Sequence, residues 1–247
     1  MANWSDPRAT AVPRAATGAR EAAFDAGLRS YMLSVYNYMA SGVLLTGIVA
    51  MLFARGGAES PAAQLFMQGG LLRFAVMLAP LGVVMWLSFG INRISEGTAK
   101  ALFWAYAVLM GLSLSTILLV YTGGSVAQAF FAAAASFAAL SLYGYTTKKS
   151  LSGMGTFLIM GVFGLMIAML INMFVHSSAM NLLISAVGVL LFAGLTAYDT
   201  QRIKSGYFAV RGTEYAGKSA VMGALTLYLD FINLFLFLLR FMGNQRN

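Results

Sequence analysis

The sequence contains no cysteine, a single histidine and few charged residues, and each shortage excludes a class of protein. Without cysteine the chain has no disulfide, no thiol nucleophile and no cysteine-ligated metal. His176 alone does not make a zinc hydrolase, which needs several histidines or cysteines. Charged residues make up 10% of the chain and hydrophobic residues 60%, whereas soluble domains carry about a quarter charged residues. The composition therefore predicts an integral membrane protein.

Stretches without charge define the predicted membrane spans, since a spanning helix needs about 20 apolar residues. Two short uncharged stretches hold one helix each, and two long ones must each fold back as a pair of helices. The stretch from Lys218 to Arg240, in which Asp230 is the only charge, holds the seventh. The fold-back points are "YTGGS" at 121–125, with its adjacent glycines, and "HSSAMN" at 176–181. The sequence thus predicts an all-α bundle of seven spans, at 31–54, 73–92, 101–121, 126–146, 154–175, 181–202 and 220–242.

The first 27 residues differ in composition from the rest of the chain. They are polar, contain proline, and lack the apolar core and cleavage site of a secretory signal. We expect a flexible cytoplasmic tail at 1–27, with a short surface helix at about 17–28 as the alternative. A seven-helix transmembrane domain at 28–247 follows.

The basic residues indicate how the chain is oriented. Of the sixteen lysines and arginines, twelve lie in the tail and the even-numbered connections, and four lie on the other side of the predicted bundle. This positive-inside bias predicts a cytoplasmic N-terminus and an outside C-terminus. It also accounts for the net charge of +8 without nucleic acid as a partner.

Two of the eight acidic residues lie inside predicted spans, whereas the other six fit a solvated surface. Asp199 is one turn from the cytoplasmic end of the sixth span, and Asp230 is about ten residues, or about 15 Å, into the seventh. An ionised aspartate in hydrocarbon costs at least roughly 2.5 kcal/mol, so each must face a partner or a water-filled cavity. Both lie in the cytoplasmic half of the bundle, and we expect the two carboxyl groups to be neighbours.

Polar residues share helix faces with these aspartates. Thr226 and Asn233 line up with Asp230 at helical spacing, and Thr196 lines up with Asp199, which predicts a supporting polar seam. A close carboxylate pair in a poorly solvated site does not readily hold two negative charges, and it can share one proton. Once that proton leaves, two anions suit Ca²⁺, which takes six to eight oxygen ligands. We therefore expect weak, transient Ca²⁺ binding by the pair and no permanent cofactor.

Several basic residues flank the predicted pair. Arg93, in "FGINRISEG" at the cytoplasmic end of the second span, is either a positive-inside anchor or a gate residue that pairs with an aspartate. Arg202 and Lys204 are interpreted as topology anchors, and Arg240 as the outer boundary of the seventh span.

The motifs "GLTAYDTQRIK" at 194–204 and "LTLYLDFINLFLFLLRFMG" at 225–243 resemble bacterial members of the Bax inhibitor-1, or transmembrane Bax inhibitor motif, family. Weaker similarity includes "FWAYAVLMGLSLS" at 103–115, so the resemblance extends from about Arg29 onward. It implies seven helices with the last one central, and an aspartate pair, here Asp199 and Asp230, that senses pH in a calcium-leak pathway. It also implies an arginine latch, for which Arg93 is the candidate. The family has an arginine cluster there, whereas this chain has one arginine followed by Ile and Ser.

The resemblance leaves two functions open. One is a pH-sensitive calcium leak channel of the bacterial inner membrane, with the bilayer and Ca²⁺ as its partners. The alternative is a regulator of a membrane-anchored ATP-dependent protease that conducts no ions.

Enzyme classes fit the sequence less well, and we expect no catalytic residues. An intramembrane aspartyl protease has Gly-x-Gly-Asp where this chain has "LYLD". A serine protease needs a G-x-S-x-G elbow and a buried histidine base, and the chain has neither. A retinal protein needs a lysine inside a span, whereas all five lysines lie at span edges or in connections.

Overall fold

The computed structural model describes residues 14–67 and 70–246, and it is helical almost throughout. Its α-helices are α1 (Arg14–Phe53), α2 (Pro61–Met67), α3 (Leu71–Gly90), α4 (Glu96–Val120), α5 (Gly123–Thr146), α6 (Ser152–Val175), α7 (Ser178–Val210) and α8 (Tyr215–Met242). Seven of these, all but α2, are long and apolar enough to cross a membrane. The predicted all-α, seven-span bundle is confirmed, and α2 is an additional short helix between the first and second spans.

The predicted fold-back points are confirmed, but several helices extend beyond the predicted span limits. The chain turns between α4 and α5 at 121–122 and between α6 and α7 at 176–177. In contrast, α7 continues eight residues past Arg202. It can do so because Tyr207 packs on Tyr31 of α1, with ring centroids 5.2 Å apart. The helix ends near Gly212, whose φ of 73° is in the left-handed region that glycine adopts easily. Charges therefore mark the edge of the apolar span and not the end of the helix.

The first helix also begins earlier than its predicted span. Residues 14–27, expected as part of a flexible tail, continue α1 without a break. Pro13 directly precedes this helix, and the segment "RAATGAREAAFDAG" is rich in alanine, the best helix former. The expectation for residues 1–13 lies outside the described part of the chain.

The last span, α8, is the centre of the bundle, as the family resemblance implies. It packs against α1, α4, α5 and α7, and 67% of its most apolar window is buried, compared with 11% for α3 and 17% for α6. The outward faces of α3 and α6 carry exposed leucine, phenylalanine and methionine side chains, as lipid-facing helices do.

Because successive spans alternate in direction, one end of the bundle gathers the start of α1 and the α3–α4, α5–α6 and α7–α8 connections. Contacts there join distant parts of the chain: Tyr31 and Ser219 hydroxyls lie 2.9 Å apart, and Gln201 binds the backbone of Lys149 and Leu151. We call this the basic end. The basic residues there whose side chains are described are Arg29, Arg93, Lys100, Lys148, Lys149, Arg202, Lys204, Arg211 and Lys218. The opposite end has Arg55, Arg73, Arg240 and Arg246. That the basic end faces the cytoplasm stays a prediction.

Candidate functional site

The structure brings Asp199 and Asp230 together. They lie on α7 and α8, which are joined by a short connection and form the most extensive helix pair in the described chain. Asp199 is eleven residues before the end of α7, and Asp230 is fifteen residues after the start of α8. Since the two helices run in opposite directions, these positions face each other. The carboxyl groups are within hydrogen-bonding distance.

Burial sets this pair apart from all other charged groups in the described residues. Asp199 is 7% exposed and Asp230 is 5% exposed, and no other charged side chain in 25–67 or 71–246 is buried. Two ionised carboxylates have only acceptor atoms, so a hydrogen bond between them requires a proton on one of the two. Two carboxyl groups placed in this way can share one proton.

One carboxyl oxygen of the pair lacks a hydrogen bond within the described part of the chain. Oδ2 of Asp230 is buried and has no hydrogen-bond partner among the described residues. A buried acceptor without a hydrogen bond lowers the stability of the fold, so each one in a native structure calls for an explanation. An oxygen of this kind can accept a hydrogen bond from water or coordinate a passing cation.

Two arginines were considered as partners for the pair, and the structure places them differently. Nη1 of Arg202 is 3.9 Å from Oδ1 of Asp199, and the arginine side chain is 69% exposed. Such an exposed, long ion pair contributes little to stability. Arg93 lies in the turn between α3 and α4, is exposed, and makes no ion pair with the described residues. The latch role of Arg93 therefore stays a prediction.

The predicted polar seam residues direct their hydrogen bonds into their own helices. The Thr196 hydroxyl donates to the carbonyl of Phe192 at 2.8 Å, and the Thr226 hydroxyl donates to Met222 at 3.1 Å. Asn233 donates through Nδ2 to Leu229 at 2.8 Å. None of these three bonds reaches a carboxyl group. Thr196 is fully buried, whereas Thr226 and Asn233 are half-buried.

Neighbouring residues of "GLTAYDTQRIK" in α7 contact different parts of the bundle. Ala197 touches α5, because a Cβ at Gly144 would overlap the Ala197 carbonyl oxygen. Tyr198 lies over Gly155 of α6, where an added Cβ would meet its ring. Asp199 faces α8. The motif therefore fixes the position of Asp199 by close packing on both sides of it.

The next residues of the motif anchor α7 to the α5–α6 connection and to the end of α5. Gln201 accepts from the Leu151 N–H at 2.7 Å and donates to the Lys149 carbonyl at 2.9 Å. Nζ of Lys204 donates to the Tyr145 carbonyl at 2.7 Å and lies 4.9 Å from the centroid of that ring. Lys204, interpreted from the sequence as a topology anchor, thus also caps a helix end.

A chain of hydroxyl groups crosses the bundle beside the pair, and the sequence interpretation did not find it. Thr200 donates to the Thr196 carbonyl at 2.7 Å, so its oxygen can only accept from Ser141, at 3.0 Å. Ser141 in turn accepts from the hydroxyl of Tyr36, at 2.7 Å. These three hydroxyl groups connect α1, α5 and α7. Its only signal in the sequence is the presence of hydroxyl side chains inside otherwise apolar spans.

A second buried hydroxyl contact holds α8 two residues before Asp230. Thr46 donates to the Ala107 carbonyl at 2.8 Å, so the hydroxyl of Tyr228 donates to Thr46, at 2.7 Å. Tyr228 is fully buried, and its ring packs edge-on against Tyr106 and Phe103. This contact ties α8 to α1 and α4.

Carboxylate oxygens are suitable ligands for a hard cation, but here there are only two carboxyl groups. In the described part of the chain, no three side chains of the His, Cys, Asp and Glu types converge. Ca²⁺ prefers six to eight oxygens, so most of its ligands at this pair would be water and backbone carbonyls. The donor set fits a cation in transit better than a stored one.

Comparison with known proteins identifies the family. Residues 28–247 match the family model described as "Inhibitor of apoptosis-promoting Bax1". The protein RP147 of Rickettsia prowazekii is 47% identical over 231 residues, which cover 94% of this chain and 96% of that protein. The inner membrane protein YbhL of Escherichia coli is 44% identical over 223 residues, which cover 90% of this chain and 94% of that protein.

A more distant relative spans the same region. YrjE of Lactococcus lactis is 41% identical over 218 residues, which cover 88% of this chain and 92% of that protein. The resemblance carried by the α7 and α8 motifs is thus confirmed over almost the whole chain. The chain belongs to the Bax inhibitor-1 family of multi-pass membrane proteins.

Proposed function

We propose that the protein is a pH-sensitive leak channel for Ca²⁺, or a similar cation, in a bacterial inner membrane. The observation that carries the proposal is the Asp199–Asp230 pair, buried between two spanning helices with one oxygen unsatisfied. Buried ionisable residues inside a membrane are costly and typically mark ion or proton pathways. The name of the Escherichia coli relative, an inner membrane protein, supports the location.

The pair acts as the sensor because its two protonation states favour different partners. With one proton, the carboxyl groups bind each other. Without it, two negative charges in a poorly solvated site repel each other and attract a cation or an arginine. Arg202 is the only charged group within 4 Å of the pair among the described residues. The other helices packed on α7 and α8 bring no buried charged side chain to it in the described ranges.

Arg93 is the candidate latch for the state in which the pair has lost its proton. Arg93 is exposed and makes no ion pair with the described residues, which is the arrangement expected once the latch is released. The orientation that the basic residues favour, with the N-terminus in the cytoplasm, puts the pair in the cytoplasmic half of the pathway.

The proposal is tested by Ca²⁺ flux into proteoliposomes across pH 5 to 8. Asparagine replaces the shared proton with a permanent N–H donor, so Asp199→Asn and Asp230→Asn mimic the protonated pair. We expect both variants to lose pH dependence and to show, even at pH 8, the flux that the wild type has at pH 5. Glu59→Gln, which removes an exposed carboxylate outside the pair, serves as the matched control and keeps the wild-type profile.

Flux no greater than that of empty liposomes, from correctly folded protein, contradicts the channel. That result favours the regulator of a membrane-anchored ATP-dependent protease. The two functions also respond differently to removal of residues 1–13. Loss of the segment leaves a leak intact, whereas it is expected to abolish regulation of a partner.

A further inference from the structure

A lateral groove of about 730 Å³ runs between α1 and α5. Both helices pack on α8, and Phe231 of α8 lines the groove between them. The lining is almost entirely apolar, and much of it is exposed at the lipid-facing surface. Its main apolar residues on the two walls are Leu33, Val43 and Leu44 of α1 and Ala134, Ala138 and Leu142 of α5.

Two of the few polar groups that line the groove, the hydroxyls of Tyr36 and Ser141, are already bonded. The Tyr36 hydroxyl donates to Ser141 across the groove, and the Ser141 hydroxyl donates to Thr200. A polar ligand would therefore find little to bind within the groove. A lipid acyl chain gives up no hydrogen bond when it enters the groove, because it displaces only other hydrocarbon.

Arg29 is the one basic residue among the described residues that line the groove. It lies at the basic end, is exposed, and has no ion pair with the described residues. A guanidinium at this position suits a phosphate group, to which it can donate two parallel hydrogen bonds. The groove thus combines an apolar body with a positively charged mouth.

The length of the groove matches one leaflet of a bilayer. Arg29 and Leu44 are fifteen residues apart on α1, which corresponds to about 22 Å of helix. One leaflet of a bilayer, counted with its headgroup region, is about 20–22 Å thick. An acyl chain that starts from a headgroup at Arg29 can therefore lie along the groove within its own leaflet.

We propose that this groove binds one acyl chain of a membrane phospholipid with an anionic headgroup, and that Arg29 binds the headgroup phosphate. The bound chain contacts Phe231, which directly follows Asp230 in α8. Lipid binding is independent of whether the protein conducts ions, so the two proposals stand or fall separately.

Native mass spectrometry of the full chain tests the proposal, after equilibration in detergent with equal amounts of phosphatidylglycerol and phosphatidylcholine. We expect one retained lipid per wild-type chain, mainly phosphatidylglycerol. Ala138→Phe fills the groove and should remove the retained lipid. Ala135→Phe is the matched control, because Ala135 is also exposed on α5 but does not line the groove. It should keep the lipid.

Arg29→Ala provides a second arm that does not alter packing. We expect the lipid to remain but its preference for phosphatidylglycerol over phosphatidylcholine to fall about fivefold, since one basic residue near anionic lipid has an effect of this order. Arg55→Ala, which removes an exposed arginine at the opposite end, should leave the preference unchanged.

Three results overturn the proposal. One is equal lipid retention by the wild type and Ala138→Phe. Another is a wild type that retains lipid only after residues 1–13 are removed, which would assign the groove to that segment. The third is a lipid-free dimer that Ala138→Phe separates into single chains, which would assign it to a second copy.

Discussion

The two halves of α8 differ in what they pack against. In the half at the basic end, from Tyr215 to Asp230, the helix makes three polar contacts with two neighbouring helices: Ser219 and Tyr228 contact α1, and Asp230 contacts α7. In the other half, from Phe231 to Met242, all six buried residues are apolar, and five of them are phenylalanines or leucines. Phe237, for example, stacks on Phe192 of α7 with ring centroids 5.6 Å apart.

The apolar half is also closed at its far end. The C-terminal segment is held on the α4–α5 connection, where Gln245 forms a β-bridge with Tyr121. Arg246 donates its N–H to the Val120 carbonyl at 2.8 Å, and the N–H of Asn244 donates to Ser125 at 2.9 Å. The difference separates two tasks within one helix. In the proposed channel, the polar half would carry the change of charge, and the apolar half would block ions until it is wetted, as hydrophobic constrictions in channels do.

The largest loss of stability is expected when a Cβ is added against the closely packed apolar half of α8. A Cβ built at Gly188 would lie 2.5 Å from Cδ1 of the buried Phe237 ring, whereas one at Gly223, in the polar half, would lie 3.1 Å from Ile203. We expect Gly188→Ala to lower the free energy of unfolding by about 2 kcal/mol and Gly223→Ala by less than about 1 kcal/mol. Thermal and denaturant unfolding of the purified protein measures both.

The matched control for these substitutions is Gly164→Ala. Gly164 is also helical, and nothing lies within 4 Å of its added Cβ, so the change should stabilise the helix by about 0.5–1 kcal/mol. Equal destabilisation by Gly188→Ala and Gly223→Ala would mean that the two halves of α8 are packed with the same tolerance, and the comparison would fail.

A smaller effect is expected from removing one hydroxyl in the polar half. Tyr228→Phe deletes the bond to Thr46 and leaves the ring contacts in place. We expect a loss of about 1 kcal/mol, the usual size for one buried hydrogen bond, which in membranes is often somewhat less. The unfolding of Tyr228→Phe, Thr46→Val and the double variant measures the coupling. Tyr143→Phe, at an exposed ring, is the control and should have no effect.

Additive losses in this cycle would show that the two hydroxyls stabilise the fold independently. The bond between Tyr228 and Thr46 would then not contribute to the difference between the two halves. A double variant that loses little more than either single one supports the direct contact.

The sequence predicted the site from short-range patterns. Runs without charge gave the number of spans, because a bilayer sets their length. Asp199 and Asp230 were expected to be neighbours because they lie on consecutive spans that run in opposite directions, near the connection between them. In the structure the two side chains are neighbours, as that reasoning expected.

Other features depend on contacts that no local pattern contains. Tyr36 and Ser141 are 105 positions apart, and their bond exists only because α1 and α5 both pack on α8. The extension of α7 likewise depends on the packing of Tyr207 against α1. Helix ends were therefore predicted less accurately than spans, since a charge ends an apolar run and leaves the backbone hydrogen bonds free to continue.

The smallest expected effect distinguishes the two arginines near the polar half. Arg202 is mostly exposed and 3.9 Å from Asp199, so Arg202→Gln should change the free energy of unfolding by less than about 0.5 kcal/mol. Removing this cation makes an ionised Asp199 slightly less favourable, so the midpoint of the flux profile should move to higher pH by less than about half a unit. Arg93→Gln should move it further, because the proposed latch pairs closely with the carboxylates once the proton has left. Flux at each pH from 5 to 8 measures both variants. The latch would be contradicted if Arg93→Gln kept the wild-type profile while the Arg202→Gln profile shifted. That result would show that Arg202 of α7, and not Arg93, stabilises the ionised pair.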